Sequence, residues 1–344
     1  MRRHFLLAWL FCSTVLCSTL LCSRTSLAQA PPAATPQPPI NLLRRNLERI
    51  MNGVHADWGV YIKSLDTNEE IAINADAPMD TMSTIKLPLL VEAFRQIDAG
   101  KLHLTDRIEM KHGDKRFGTG VLRTLDDGLT LTLKDALTLM IIQSDNTATD
   151  MAFNAVGGPQ RVTQTMRELG LNGITATGTA FDWFRGLGEV SDPAWAKLTP
   201  AELFDRGYPQ VPTRQADVER FHFEGKHPFG LSTARDMGRL LEMIARNQVA
   251  SPQSCAEMLR ILRSQQMNTR IPKYIAGAAT PHKTGDFPPY IANDVGLIES
   301  PRARTVIVVF DQHHKGIYAN LEDAVARISE QVWDFFDYRA AAAK

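Results

Sequence analysis

Thr81-Met82-Ser83-Thr84-Ile85-Lys86-Leu87-Pro88-Leu89-Leu90 leads into an apolar run, LPLLVEAFRQI, that keeps helical spacing up to a stop at Gly100. The spacing predicts that Ser83 and Lys86 open a helix. Three residues make nearly one turn, so the hydroxyl and the amine share a face. The first turn also offers unpaired backbone N–H groups that can hold an oxyanion. A serine hydroxyl becomes a nucleophile when a base takes its proton, and an amine serves as that base only when deprotonated. Burial beside a second cation would lower the Lys86 pKa in the required direction. By itself this spacing also fits an ordinary helix start, so its meaning rests on the rest of the chain.

At 344 residues, 44% hydrophobic and 22% charged, the composition is that of a globular protein of one large or two smaller domains. A formal net charge of zero gives no reason to expect nucleic acid or an anionic surface as partner. The first thirty residues differ. Arg2, Arg3 and His4 precede an uncharged apolar run from Phe5 to about Cys22, and Ala28-Gln29-Ala30 supplies a small-x-small cleavage site. A signal peptide cleaved after Ala30 is expected, with periplasmic or secreted localisation and no lasting membrane insertion. An uncleaved anchor is the alternative, and both the general and the twin-arginine export routes stay open. Cleavage removes Arg2, Arg3 and Arg24 from the 38 basic residues, leaving 35 against 38 acidic, a formal −3. Cys255 would then be the only thiol, unable to pair within the chain and read as a small buried hydrophobe.

Residues 31–40, Pro-rich, read as a linker. Asn41 to Met51 is amphipathic. Trp58, Val60 and Ile62 alternate, and Glu70-Ile71-Ala72-Ile73 follows the Asp66-Thr67-Asn68 turn, which predicts an antiparallel hairpin. From Ser83 to about Asn247 the pattern is mainly helical. Thr132 caps a helix running to Ile142, another begins near Asn146, and Gly157-Gly158-Pro159 ends it and starts the next, up to Gly170. Residues 171–230 show little periodicity and read as a long variable loop. A helix returns over Ala234 to Arg246. Strands follow at His282 to Asp286, Ile291 to Glu299 and Arg304 to Asp311, then a last helix over Leu321 to Tyr338. Strands at both ends with helices between imply one sheet built from sequence-distant pieces. The expected division is an α/β domain of residues 41–82 and 227–338 and a helical domain of residues 83–226.

Two more motifs change the weight of the first. Ser144-Asp145-Asn146 sits at a helix–helix junction, where a hydroxyl can relay a proton to a leaving nitrogen and an amide can hold a substrate amide. Lys283-Thr284-Gly285 lies on a predicted strand and offers a cation and a hydroxyl for a carboxylate, with a glycine where substrate must come close. Alone, the first could merely cap a helix and the second could be a surface strand. An extended peptide could also add along this edge.

In this order the three motifs resemble those of the penicillin-recognising serine hydrolases, closest to class A β-lactamases. The resemblance spans about residues 41 to 338. It includes Leu133-Lys134-Asp135-Ala136-Leu137, Gly157-Gly158-Pro159, Ser232-Thr233-Ala234-Arg235-Asp236-Met237 and Asn293-Asp294-Val295. It implies an α/β fold, a three-layer α/β/α sandwich with an antiparallel sheet plus an inserted all-helical domain. It also implies that Ser83 is acylated, Lys86 is its proton partner and Ser144 protonates the leaving nitrogen. Asn146 would bind the substrate amide, Lys283 and Thr284 its carboxylate, with Gly285 where substrate lies close, and the backbone N–H groups of Ser83 and Asp286 the oxyanion. No metal or organic cofactor is implied, and a monomer is expected.

Two departures stand out. The class A loop carries a Glu, and an Asn four residues later, that position the deacylating water. Counting without gaps, these positions fall on Ala180 and Phe184, neither of which is a base. Asp182 or Glu189 from a slipped loop would be substitutes. Asp286 places a negative charge where a carboxylate-bearing substrate would bind. The leading expectation is therefore β-lactam hydrolysis through acyl-Ser83. The alternatives are a DD-peptidase acting on D-Ala-D-Ala peptidoglycan stems and a non-catalytic sensor of the same ligands. His313-His314 reads as an exposed turn, and Trp183 and Trp195 as packing residues or cleft lining.

Overall fold

Alternation along three long strands sets the architecture. In the computed structural model, which describes residues 39–209, 221 and 228–342, β1 (Asp57–Ser64) sends Val60 and Ile62 into one hydrophobic cluster and Tyr61 into another. The expected signal peptide, linker residues 31–38, and residues 210–220 and 222–227 of the expected loop lie outside the described residues. The remaining strands are β2 (Glu70–Ile73), β3 (Met79–Asp80), β4 (Arg107–Glu109), β5 (Thr130–Thr132), β6 (Leu231–Ser232), β7 (His282–Phe287), β8 (Ile291–Glu299) and β9 (Arg304–Gln312). Five of them form an antiparallel sheet in the order β2-β1-β9-β8-β7. The first strand thus pairs with the last, Val60 opposite Val309. Ile307 and Val309 join the Val60 cluster, and Val306, Val308 and Phe310 the other. With both faces covered, β8 and β9 read as nearly continuous apolar runs, as buried strands do.

One face of the sheet is covered by α1 (Ile40–Asn52) and the long helix Tyr318–Ala342, through Leu43, Leu47, Val325, Ile328 and Val332. The helix Ala234–Ala245 packs on the other face. Beyond it lie α2 (Lys86–Asp98), α3 (Leu133–Ile142), α4 (Asn146–Val156) and α5 (Pro159–Glu168). Every residue of α2 from Lys86 to Phe94 is buried, so this helix is apolar nearly all round and central. Burying Leu87, Leu89 and Leu90 contributes about 1.5–3 kcal/mol each, which fixes the helix that carries Lys86. Besides Lys86, the charged residue on its buried surface is Glu92, paired with Arg161 at 2.8 Å and with Gln96 at 2.6 Å.

One expectation needs correction. The stretch after Leu171 is not a bare loop: α6 (Ala180–Glu189) and α7 (Pro200–Arg206) interrupt it. Thr179 with Asp182, and Thr199 with Glu202, form capping boxes that start both helices. Ala180, Trp183, Phe184 and Leu187, at helical spacing, bury one face of α6. A further helix, Pro252–Arg263, begins at a Ser251 cap with proline in its first turn and packs against α2 and α3.

Candidate active site

Ser83 lies on one turn of 3₁₀ helix, Met82–Ile85, that runs directly into α2. Two ties hold the turn. Asp80 accepts the Met82 N–H at 2.7 Å, with Met82 in the left-handed region at φ 45°, and Thr84 caps back onto the Thr81 carbonyl at 2.8 Å. The Asp80 carbonyl in turn receives the Asn293 side-chain amide at 2.7 Å, which joins the turn to the sheet. Burial raises the Asp80 carboxyl to about 7, against the backbone hydrogen bonds from Met82 and Phe229. Ser83 itself stays partly accessible among buried neighbours.

Lys86 is fully buried and its Nζ meets three acceptors: Ser144 O at 2.7 Å, Ser144 Oγ at 3.0 Å and Asn146 Oδ1 at 2.8 Å. Lys283 Nζ reaches the same Ser144 Oγ at 3.0 Å from the other side. The Ser144 hydroxyl therefore bridges two lysines. Burial, then the neighbouring Lys283 charge, pushes the Lys86 amine well below the ordinary lysine range, although Asp145, Asp150 and Asp286 pull the other way. Burial also lowers Lys283, to about 8.

Ser144 is held at φ 52° by its surroundings. Thr119 Oγ1 donates to its carbonyl at 2.7 Å, and Asp145 caps α4 while accepting the Val121 and Leu122 N–H groups at 2.7 and 2.9 Å. Asn146 donates to the Phe117 carbonyl at 2.9 Å. Gly118 must be glycine: at φ 84° a Cβ would lie 2.7 Å from the Asn146 amide nitrogen.

β7 is the edge strand of the sheet and lies against the Ser83 turn. A Cβ on Gly285 would sit 2.5 Å from the Thr81 carbonyl oxygen and 3.1 Å from the Ser83 nitrogen, so only glycine lets the strand approach. Thr284 is fully buried and contacts Met267. Asp286 pairs with the Arg270 guanidinium and accepts the Tyr318 hydroxyl at 2.8 Å. Arg270, 1% exposed, also reaches Glu322 at 3.2 Å. Burial opposes its charge, but Asp286 and its neighbours outweigh that and hold it protonated.

A cavity of 360 Å³ joins these groups, with Ser83, Ser144, Asn146 and Asp286 on its wall beside Met82, Trp183, Phe184, Tyr208, Phe229, Met267 and Phe287. The aromatic wall is continuous: Trp183 meets Phe184 at 5.0 Å and Phe287 at 5.6 Å, and Phe184 meets Tyr208 at 5.8 Å. Neither sequence-proposed substitute base is on the cavity wall. Asp182 is spent in the α6 capping box and pairs with Arg185 at 3.2 Å, while Glu189 is exposed at the far end of the helix. Ala180 is buried with its N–H on Asp150 at 2.7 Å, and Phe184 faces the cavity. Asp286 is the only carboxylate on this wall among the described residues.

Arg270, Asp150 and the segment around Thr119 escaped sequence reasoning. Asp150 had one legible sign, its place one turn after Asn146 on α4. It pairs with Arg116 at 2.5 Å and holds the start of α6. Trp195 is packing, buried against Gly188 with Arg206 stacked at 5.3 Å. His314 is buried and bonded to the Pro289 carbonyl at 2.7 Å, contrary to the exposed turn expected there. Among the described residues no cluster of His, Cys, Asp or Glu is arranged to hold a metal ion.

Residues 42–336 match the beta-lactamase enzyme family. The chain is 22% identical to beta-lactamase VEB-1 of Pseudomonas aeruginosa over 86% of its own length and 90% of that protein's. A crystal structure of a beta-lactamase from Sphaerobacter thermophilus superposes with a TM-score of 0.68 at 26% identity, over 86% of this chain and 96% of that one. A mutant of PBP-A, solved as an acyl-enzyme complex with penicillin G, superposes at 0.67 with 23% identity, over 88% and 99%.

Proposed function

The chain belongs to the beta-lactamase enzyme family, and on that premise we propose that it is a serine acyl-transfer hydrolase, acylated at Ser83 by β-lactams, whose acyl-enzyme is released slowly. The observation that carries the reading is the Ser144 hydroxyl held between two buried lysines, Lys86 and Lys283, at 3.0 Å each. A Lys86 amine below its ordinary pKa takes the Ser83 proton as Oγ attacks the lactam carbonyl. The proton passes through Ser144 to the ring nitrogen as the C–N bond breaks. Backbone N–H groups at the Ser83 turn and at Asp286 on the edge of β7 hold the oxyanion, and Asn146 holds the acyl amide. Such interactions matter more in a water-poor cavity than in water.

Slow release is supported by the cavity wall as the described residues form it. A deacylating water needs a base within about 2.6–3.2 Å, and the positions counted for it hold Ala180 and the ring of Phe184. The same property suits a penicillin-binding peptidase acting on D-Ala-D-Ala ends. Steady β-lactam hydrolysis is the second reading, favoured by the near full-length likeness to VEB-1. Export remains part of the proposal, supported by the Arg2-Arg3-His4 start, the apolar run and Ala28-Gln29-Ala30.

Intact-protein mass spectrometry over time with benzylpenicillin, with Ser83→Ala as control, tests the assignment. The expected result is a one-to-one adduct on the wild type alone that persists for many minutes. An adduct that clears while penicilloate accumulates would support the second reading. No adduct would sink both.

A further inference from the structure

At the β7 end of the cavity the charges are layered. Asp286 lines the cavity wall with Ser83, whereas Arg270 does not; its side chain is 1% exposed against 20% for Asp286. Both partners of Asp286, Arg270 and Tyr318, engage Oδ1. Oδ2 takes no hydrogen bond among the described residues and is not a buried atom, so it remains open as an acceptor. Lys283 Nζ is fully buried and committed to Ser144 Oγ and the Thr284 carbonyl. The surface met by an incoming ligand is therefore a carboxylate oxygen, with the cations behind it.

We propose that Asp286 makes the site selective for substrates that present a hydrogen-bond donor, such as a carboxamide, where a carboxylate would otherwise lie. The proposal rests on the reading of Ser83 as the acylated residue. A carboxylate placed there meets a like charge before it meets Arg270 or Lys283, and like-charge juxtaposition is strongly unfavourable in a confined site. A carboxamide N–H instead completes the free Oδ2. The reaction is otherwise that described above: Ser83 Oγ bonds to the carbonyl carbon, the C–N bond opens, and the serine proton ends on the released nitrogen, with no redox change. Arg270 also has Glu322 at 3.2 Å and Tyr318 at 3.1 Å, partners that do not depend on the Asp286 charge.

Stopped acylation assays by mass spectrometry would compare benzylpenicillin with its carboxamide on wild type, Asp286→Asn and Asp286→Ser. A fluorophosphonate probe of Ser83 and a thermal melt report an intact site in each variant. The wild type is expected to react about tenfold or more faster with the carboxamide, and both variants to gain about tenfold toward benzylpenicillin. A wild type that prefers benzylpenicillin, with variants no faster toward it, overturns the proposal. Fluorophosphonate labelling without acylation by either lactam also overturns it, yet leaves Ser83 as nucleophile. No labelling of a folded protein removes the Ser83 reading itself.

Discussion

Gly285→Ala is the most direct test of how the edge strand and Ser83, the proposed nucleophile, share one wall. The new methyl would stand 2.5 Å from the Thr81 carbonyl oxygen and 3.1 Å from the Ser83 nitrogen, both backbone atoms that cannot swing aside. Ordinary contact lies near about 3.5 Å, so β7 and the Ser83 turn must separate by about 1 Å. The turn is tied to Asp80 and, through the Asp80 carbonyl, to Asn293, so the strand moves rather than the turn. Overpacking of this kind costs about 1–3 kcal/mol of stability. A displacement of about 1 Å between reacting groups costs about 100-fold in rate. The expected outcome is a folded protein with a modestly lower Tm whose Ser83 acylation by a fluorescent penicillin is slower by about two orders of magnitude. Acylation at the wild-type rate would refute the placement of β7 against the nucleophile, whatever happened to stability.

Four further outcomes follow from the same geometry. If the Lys86 amine is the base, as proposed, Ser83 acylation should rise with pH through a midpoint well below the ordinary lysine value of 10.5, and Lys86→Met should abolish it; a midpoint near 10.5 in the pH–rate profile would count against Lys86 as base. Phe184→Glu puts a carboxylate on the cavity wall and should speed loss of the penicilloyl adduct by about tenfold or more, read as adduct lifetime; an unchanged lifetime would mean that release is not limited by a missing base. Arg116→Ala leaves Asp150 buried without its cation and should cost about 3–5 kcal/mol in urea unfolding, whereas a loss under 1 kcal/mol would show the pair to be dispensable. Burial raises Asp311 to about 7, above an unfolded value of about 4, so its contribution is fully present below pH 4 and lost as pH climbs through 7; Asp311→Asn should flatten that decline, and an identical decline would exclude Asp311 as its source.

The three motifs that line the candidate site could be picked out because each puts its chemistry within three or four consecutive residues. The sheet was legible for a similar reason: Val60 and Ile62 against Tyr61 already separate two sides. Arg270 was not legible. It follows the irregular segment after Arg263, and its partner Asp286 lies on a strand, so no local period links them. The α6 helix was obscured by its composition, since Phe181-Asp182-Trp183-Phe184-Arg185-Gly186-Leu187-Gly188 is rich in glycine and aromatics, which are weak helix formers. Its Thr179/Asp182 box was the available signal, and the same reading takes Asp182 away from the cavity. The join of Lys86 to Ser144 and Asn146 spans 58 and 60 residues and needed the fold.

The pairing of β1 with β9 sets a constraint on how the chain can come to order. Trp58 faces Asp311 in the finished sheet, so β1 cannot be covered on that side until the chain has been made through β9, about 250 residues later. The turn that carries Ser83 waits as well, because the strand that walls it holds Gly285. Long-range closure of this kind makes for a slow search and leaves an apolar strand edge exposed during it. A fragment ending before β7 would therefore carry Ser83 and Lys86 but not the wall that faces them, and would be at risk of aggregation through the unpaired edge of β1.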